Sequence, residues 1–196
     1  MCKWLIILFM MHMVRMWVTE GCNAFCHYCM NAKNRDNHTM EKSRFEMLCE
    51  YFYSNKFDKI ALMGGEPTIH PDFSDLYAIA QKYFKIVYLF TNALNSKKLE
   101  EISPRENDII IYNFNFSKKL KEEALLLAKP GERLLDIVVT HNMDSANIIE
   151  EIKRITSICP NRIKAQLVLN NSFNIFKHKE LIVNNVNYIY DLIKSS

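Results

Sequence analysis

Short apolar runs and helix-spaced runs alternate along this chain, six of each. Lys59–Met63, Ile86–Phe90, Asp108–Tyr112, Leu134–Val139 and Ile163–Leu169 are brief stretches dominated by apolar residues. Such runs, bounded by polar clusters, mark strands. Met13–Val18 is the first of the set, and Trp4–Met11 reads as buried strand running into it. The helices are expected over Met40–Ser54, capped by Thr39, and from Asp72 or Ser74 to Tyr83. Four more are expected over Ser96–Ile102, Ser117–Ala128, Ser145–Ser157 and His178–Ile193. Continuous apolar strands are those covered by helices on both faces, so the order argues for a parallel sheet of βαβ units. Six units in place of eight imply an α/β fold, a partial and open (β/α)6 barrel. The 196 residues are expected to form a single domain, 1–196.

Polar residues gather directly after each strand: Cys22 to Cys29, Gly64-Gly65-Glu66-Pro67, Thr91-Asn92, Asn113 and Asn115, Thr140-His141-Asn142, and Asn170-Asn171. In α/β barrels the active site occupies the C-terminal ends of the strands. The periodicity alone therefore places all these groups on one rim.

Cys22, Cys26 and Cys29 are spaced C-x3-C-x2-C. Thiolates are soft ligands that suit iron–sulfur clusters, zinc or copper(I). Structural zinc sites are closed by four protein ligands, and ordinary iron–sulfur clusters take four cysteines. Here there are three, with no second Cys pair. Three thiolates leave one coordination position open, which is a catalytic feature. On spacing alone a zinc knuckle or cysteines packed in a core remain alternatives. Cys49 shares a helical face with Phe45, Leu48 and Phe52 and reads as a core hydrophobe. Cys159 precedes Pro160 and Cys2 is terminal; neither reads as a ligand.

Two of the four glycines fall in Gly64-Gly65-Glu66-Pro67. Glycine allows backbone to approach a ligand closely, so this strand end can lie against a cofactor. The Glu66 carboxylate can accept a hydrogen bond from an ammonium. A Gly-Gly pair alone is more often a turn.

Together, in this order and on these strands, the motifs resemble the signatures of the radical S-adenosylmethionine (radical SAM) enzymes. The likeness rests on the Cys triad with Tyr28 before its last Cys, and on Gly-Gly-Glu-Pro continuing as Thr-Ile-His-Pro-Asp-Phe. The resemblance implies a [4Fe–4S] cluster on Cys22, Cys26 and Cys29, whose fourth iron binds the amino and carboxylate groups of S-adenosylmethionine. It implies one-electron cleavage to methionine and a 5′-deoxyadenosyl radical, which abstracts hydrogen from a substrate. It places Tyr28 near the adenine and Gly64, Gly65, Glu66 and Pro67 at the SAM amino group. Thr91-Asn92-Ala93 is similar to the family's Thr-Asn-Gly, with Ala for Gly. Asn113 and Asn115 fall where many members carry Ser and Asp near the ribose and carboxylate. No substrate-side catalytic residue is indicated. Gln166 and His141 read as strand-end polar residues, His27 as exposed or beside the ligands, and His70 as a turn residue.

The motif style resembles a broad group with peptide-modifying and sulfatase-maturing members. Those usually add a Cys-rich C-terminal domain with auxiliary clusters, and none is expected here. A small glycyl-radical activase or a deazaguanine-type synthase is a second enzymatic reading. A non-catalytic iron–sulfur or zinc module is the rival from another class.

Apolar residues make up 49% and charged residues 24% of the chain, with net charge +3. These are ordinary values for a globular protein, and the charge is too mild to argue for a nucleic-acid or membrane-surface partner. Lys118 to Lys121 is followed by Glu122-Glu123 and reads as a solvated helix face. Trp4–Met11 is too short to span a bilayer and lacks a small-residue cleavage site after it. The expectation is a cytoplasmic enzyme with a small-molecule or peptide substrate, an external one-electron reductant and no membrane partner.

Overall fold

The computed structural model describes residues 13–26, 29, 38–113, 132–139, 150, 163–169, 180, 183, 184 and 187. Trp4–Met11, His27, Tyr28, Asn115, His141, Cys2 and Cys159 lie outside the described residues, as does the helix expected over Ser117–Ala128. Of the two last helices only Glu150, Glu180, Val183, Asn184 and Asn187 are described, all of them helical.

Six strands form one sheet: β1 (Met13–Thr19), β2 (Lys59–Gly64), β3 (Ile86–Thr91), β4 (Ile109–Asn113), β5 (Glu132–Val139) and β6 (Ile163–Leu169). Their spatial order equals their chain order, and every neighbouring pair is parallel. Three helices are described between them: α1 (Lys42–Ser54), α2 (Phe73–Tyr83) and α3 (Ser96–Glu100). This is the expected partial (β/α)6 barrel, with β1 and β6 at the two ends of the order.

The register sorts side chains into two faces, because a strand alternates with period two. Met16 pairs with Leu62, Leu62 with Leu89 and Leu89 with Ile110, and all four are buried. They join Phe45 and Cys49 of α1 and Phe73, Leu76, Tyr77 and Ala80 of α2 in one core. Each large apolar side chain buried there contributes about 1.5–3 kcal/mol. The other face is more open at several of its described residues. Arg15 is exposed, Trp17 is 45% exposed, and Met63 and Phe90 are half-buried. Among the described residues of this face, Ala61 and Ile111 are buried, and Met63, Phe90 and Ile111 line a cavity.

Helix α1 starts at Lys42, not at Met40, and Thr39 does not cap it. Residues 38–40 are engaged elsewhere: Glu20 N–H donates to His38 O and Met40 N–H to Val18 O, both at 2.9 Å, and Thr39 bridges Thr19 in antiparallel fashion. Backbone groups committed to the end of β1 cannot also begin a helix. The other end of α1 closes with Phe57 N–H on Phe52 O at 3.1 Å and Lys56 N–H on Tyr53 O at 3.0 Å. That is a Schellman motif, with the Phe52 and Phe57 rings packed edge-on at 5.2 Å.

At the opposite end of the sheet from the Cys loop, Asp108 ties β3 to β4. Its carboxylate is buried and accepts from Val87 N–H (3.0 Å), Gln81 Nε2 (2.7 Å), Tyr77 Oη (3.2 Å) and Arg105 Nη2 (3.0 Å). Burial pushes its pKa up, but the hydrogen bonds from Arg105 and Gln81 outweigh this and hold it below the usual carboxylate range.

Candidate functional site

The site is assembled where β1, β2 and β3 end. Between Trp17 and Thr19 the β1–β2 register slips, so that Thr19 stands opposite Gly64. Such irregularities re-aim a chain at a strand end. Beyond it, Gly65 N–H donates to Thr19 O and Glu66 N–H to Gly21 O, each at 2.8 Å. The loop that carries the cysteines is thus fastened by its backbone to the turn after β2.

This close approach explains the glycines. A Cβ on Gly64 would collide with the Thr19 carbonyl oxygen, and one on Gly65 with Gly21 O and, at 2.6 Å, Glu20 O. The immediate reason for Gly-Gly is therefore the neighbouring loop's backbone, a tighter constraint than room for a cofactor.

Glu66 is 1% exposed. Its Oε1 accepts from Thr68 N–H (3.1 Å), Thr68 Oγ1 (2.7 Å) and Thr91 Oγ1 (2.7 Å). Its Oε2 accepts from Asn92 N–H at 2.7 Å. Burial drives its pKa above the usual carboxylate range, and the bonds from Asn92, Thr91 and Thr68 oppose that rise. The carboxylate thereby joins the ends of β2 and β3. Oε1 is saturated, while Oε2 keeps acceptor capacity for a further donor.

Asn92 follows β3 and is 6% exposed. Its Oδ1 accepts from Leu94 N–H at 2.9 Å, and its Nδ2 donates to Asn23 Oδ1 at 2.9 Å and faces Cys22 Sγ at 3.9 Å. Ala24 N–H also donates to Cys22 Sγ, at 3.4 Å. Ala93 next to it has φ 54°. A left-handed backbone costs a Cβ-bearing residue about 1–2 kcal/mol, which accounts for glycine at this place in the resembling motif.

These groups enclose a cavity of about 180 Å³, lined by Cys22, Cys26, Cys29, Gly64, Gly65, Glu66, Thr91, Asn92 and Asn113 over an apolar floor of Met63, Phe90 and Ile111. Of the expected site residues, Pro67 stands apart. It is buried at the start of a short 3-10 turn, Pro67–Ile69, and does not line the cavity. His70 is a structural latch: its Nδ1 accepts from Asp72 N–H at 3.0 Å, which leaves Nε2–H to donate to Met40 O at 2.9 Å. Gln166 lies on β6 in register with Asp136. A larger hollow of about 800 Å³, lined by Tyr53, Phe57, Asp58, Lys59, Tyr83 and Lys85, lies at the other ends of the strands and contains no cysteine.

None of the three loop thiols is in a disulfide, and all are partly exposed. Among the described residues no three His, Cys, Asp or Glu side chains are grouped tightly enough to hold a single metal ion. Three thiolates around one cavity, with N–H donors aimed at one sulfur, are a donor set that fits a cluster with several irons.

Sequence reasoning missed Asn23, Thr68 and Thr19. Thr68 shares Glu66 Oε1, and the Thr19 hydroxyl accepts from Gly21 N–H at 3.2 Å. Small polar residues in loops carry no distinctive pattern, so only the fold reveals them.

A model of the radical SAM superfamily matches residues 16–164. The chain belongs to that superfamily. Its members are enzymes that use a [4Fe–4S] cluster and S-adenosylmethionine. Human molybdenum cofactor biosynthesis protein 1 is 32% identical over 92 residues, 44% of this chain and 14% of that protein. The mitochondrial GTP 3′,8-cyclase of Arabidopsis thaliana is 28% identical over 134 residues, 65% of this chain and 34% of that protein. The chain thus spans about a third or less of the length of these two relatives. A Methanocaldococcus jannaschii protein, provisionally named a glycyl-radical enzyme activating enzyme, is 26% identical over 181 residues, covering 83% of this chain and 71% of that one. Among solved structures, Streptococcus suis SuiB bound to S-adenosylmethionine superposes with TM-score 0.63 at 14% identity, over 91% of this chain and 48% of SuiB. At that identity the likeness speaks to fold alone.

Proposed function

We propose that this radical SAM chain is a catalyst of reductive S-adenosylmethionine cleavage. In this reading Cys22, Cys26 and Cys29 hold the cluster, while Gly64, Gly65, Glu66, Thr91, Asn92 and Asn113 bind S-adenosylmethionine beside it. The observation that carries it is the convergence of three thiols and the Gly-Gly-Glu turn on one cavity. When bound, the cluster and S-adenosylmethionine supply a 5′-deoxyadenosyl radical that takes hydrogen from substrate. The chain's own part is positional. Glu66 Oε2 offers an acceptor for an ammonium at the cavity wall. Met63, Phe90 and Ile111 exclude water from one side. The doublet Gly65–Thr19 and Glu66–Gly21 keeps the Cys loop in register with that acceptor.

For the substrate, the Methanocaldococcus jannaschii relative, matched over most of both lengths, supports the activase reading, in which the hydrogen donor is a polypeptide. A reducing compartment such as the cytoplasm and an external one-electron donor belong to the same proposal.

The test is anaerobic. The protein is reconstituted with iron and sulfide, reduced with dithionite and given S-adenosylmethionine, and 5′-deoxyadenosine is quantified by chromatography. Its formation, abolished in Cys26→Ala, is the expected result. An assembled cluster without product would favour the binding-module reading, and bound zinc without a cluster would overturn the proposal at its first step.

A further inference from the structure

We propose that Asn92 is a positioning residue that sets the electron affinity of the cluster through its N–H···S contact with Cys22, with Asn23 as a competing acceptor. The inference rests on the cluster assignment above and goes beyond it.

The orientation of the Asn92 amide follows from its partners. Oδ1 accepts from Leu94 N–H at 2.9 Å, so the amino group must be the end that faces Cys22 and Asn23. Its backbone is fixed as well, with Asn92 N–H on Glu66 Oε2 at 2.7 Å. The amino group has two hydrogens. One makes a short bond to Asn23 Oδ1 at 2.9 Å, and the other reaches toward Cys22 Sγ across 3.9 Å. Ala24 N–H supplies a second donor to the same sulfur at 3.4 Å.

Reduction of an iron–sulfur cluster adds negative charge that spreads onto its sulfurs. Donors to those sulfurs stabilise the reduced state and raise the potential. Asn92 lies near the upper distance limit for such a bond, and Asn23 holds it there. Asn23 is exposed and its side chain is expendable for the core. Removing it releases Nδ2 to close on Cys22. Asn92 and Asn23 therefore act on the potential with opposite signs.

The experiment uses the full chain, reconstituted with iron and sulfide and without S-adenosylmethionine. Iron and sulfide content and visible absorbance report cluster assembly. A mediated titration, followed by the paramagnetic signal of the reduced cluster, reports the potential. Asn92→Ala is expected to lower the potential, Asn92→Asp to lower it further, and Asn23→Ala to raise it, at equal cluster content. If the wild-type chain assembles no cluster, the underlying assignment fails, and this inference with it. If clusters assemble and the potentials coincide, or the Asn92 and Asn23 variants shift in the same direction, the inference alone is overturned. Should Asn92→Ala fail to fold, Asn23→Ala decides: a rise supports the inference and no rise overturns it.

Discussion

Glu66 donates its backbone N–H to the carbonyl oxygen of Gly21, one residue before the first loop cysteine, across 2.8 Å. The same Glu66 accepts the Asn92 N–H on its side chain at 2.7 Å. One residue thus locks the ends of three strands into a fixed relation, and the thiols inherit their placement from it.

Gly65→Ala tests that lock. The new methyl meets Gly21 O and Glu20 O, so the Cys loop must move away. The expected result is a loss of about 1–3 kcal/mol in urea unfolding. A several-fold fall in iron bound on reconstitution should accompany it, with helix and strand content by circular dichroism unchanged. Wild-type iron content would show that the loop is not held by this contact.

Asp108→Asn should cost about 2–3 kcal/mol at pH 7, since it leaves Arg105 beside a neutral group at a buried junction. The acid limb follows from the lowered pKa of Asp108. A carboxyl depressed in the fold contributes stability that is present above its unfolded value of about 3.9 and is lost as pH falls through the folded value. Urea midpoints measured from pH 7 down into the acid range should therefore converge for the two proteins. Glu66 acts with the opposite sign: raised by burial, it withdraws stability as pH climbs from the unfolded value toward the folded one.

Cys49 should resist alkylation. Burial pushes its thiol up to about 12, with Glu46 adding to the rise, so the reactive thiolate is scarce at pH 8. Iodoacetamide treatment of the folded, metal-free protein followed by peptide mass mapping should label Cys22, Cys26 and Cys29, which are partly exposed. Cys49 should label only in urea.

Lys56→Gly should stabilise the protein by about 1 kcal/mol. Lys56 occupies the left-handed position of the Schellman motif with φ 69°, where a Cβ is strained. The unfolding midpoint should rise with cluster content unchanged, because α1's C-terminus lies away from the thiols.

Most of the sheet was legible from the sequence because its strands are short apolar runs separated by polar turns. Ile163–Leu169 matches to the residue, and the others shift by one or two positions. The start of α1 was not legible. Thr39 is a good capping residue, but its segment lies against the end of β1, and no local pattern announces a pairing with residues some twenty positions earlier. The chemistry of Cys22, Cys26, Cys29 and Glu66 showed in residue type and spacing. The reason for Gly64 and Gly65 did not, since it depends on a carbonyl of a different strand. Asn23 was equally silent, being defined by its reach to Asn92 across 69 positions.

The strands stand in the sheet in the order in which they occur in the chain, so the spatial order of the sheet and the order of synthesis coincide. Every described residue lining the thiol cavity lies at or before Asn113. A nascent chain that has released β4 from the ribosome already holds all of these wall residues, and each later strand adds only to an existing edge. The described walls of the thiol cavity are thus complete before β5 is made, and β5 and β6 are laid down beside them.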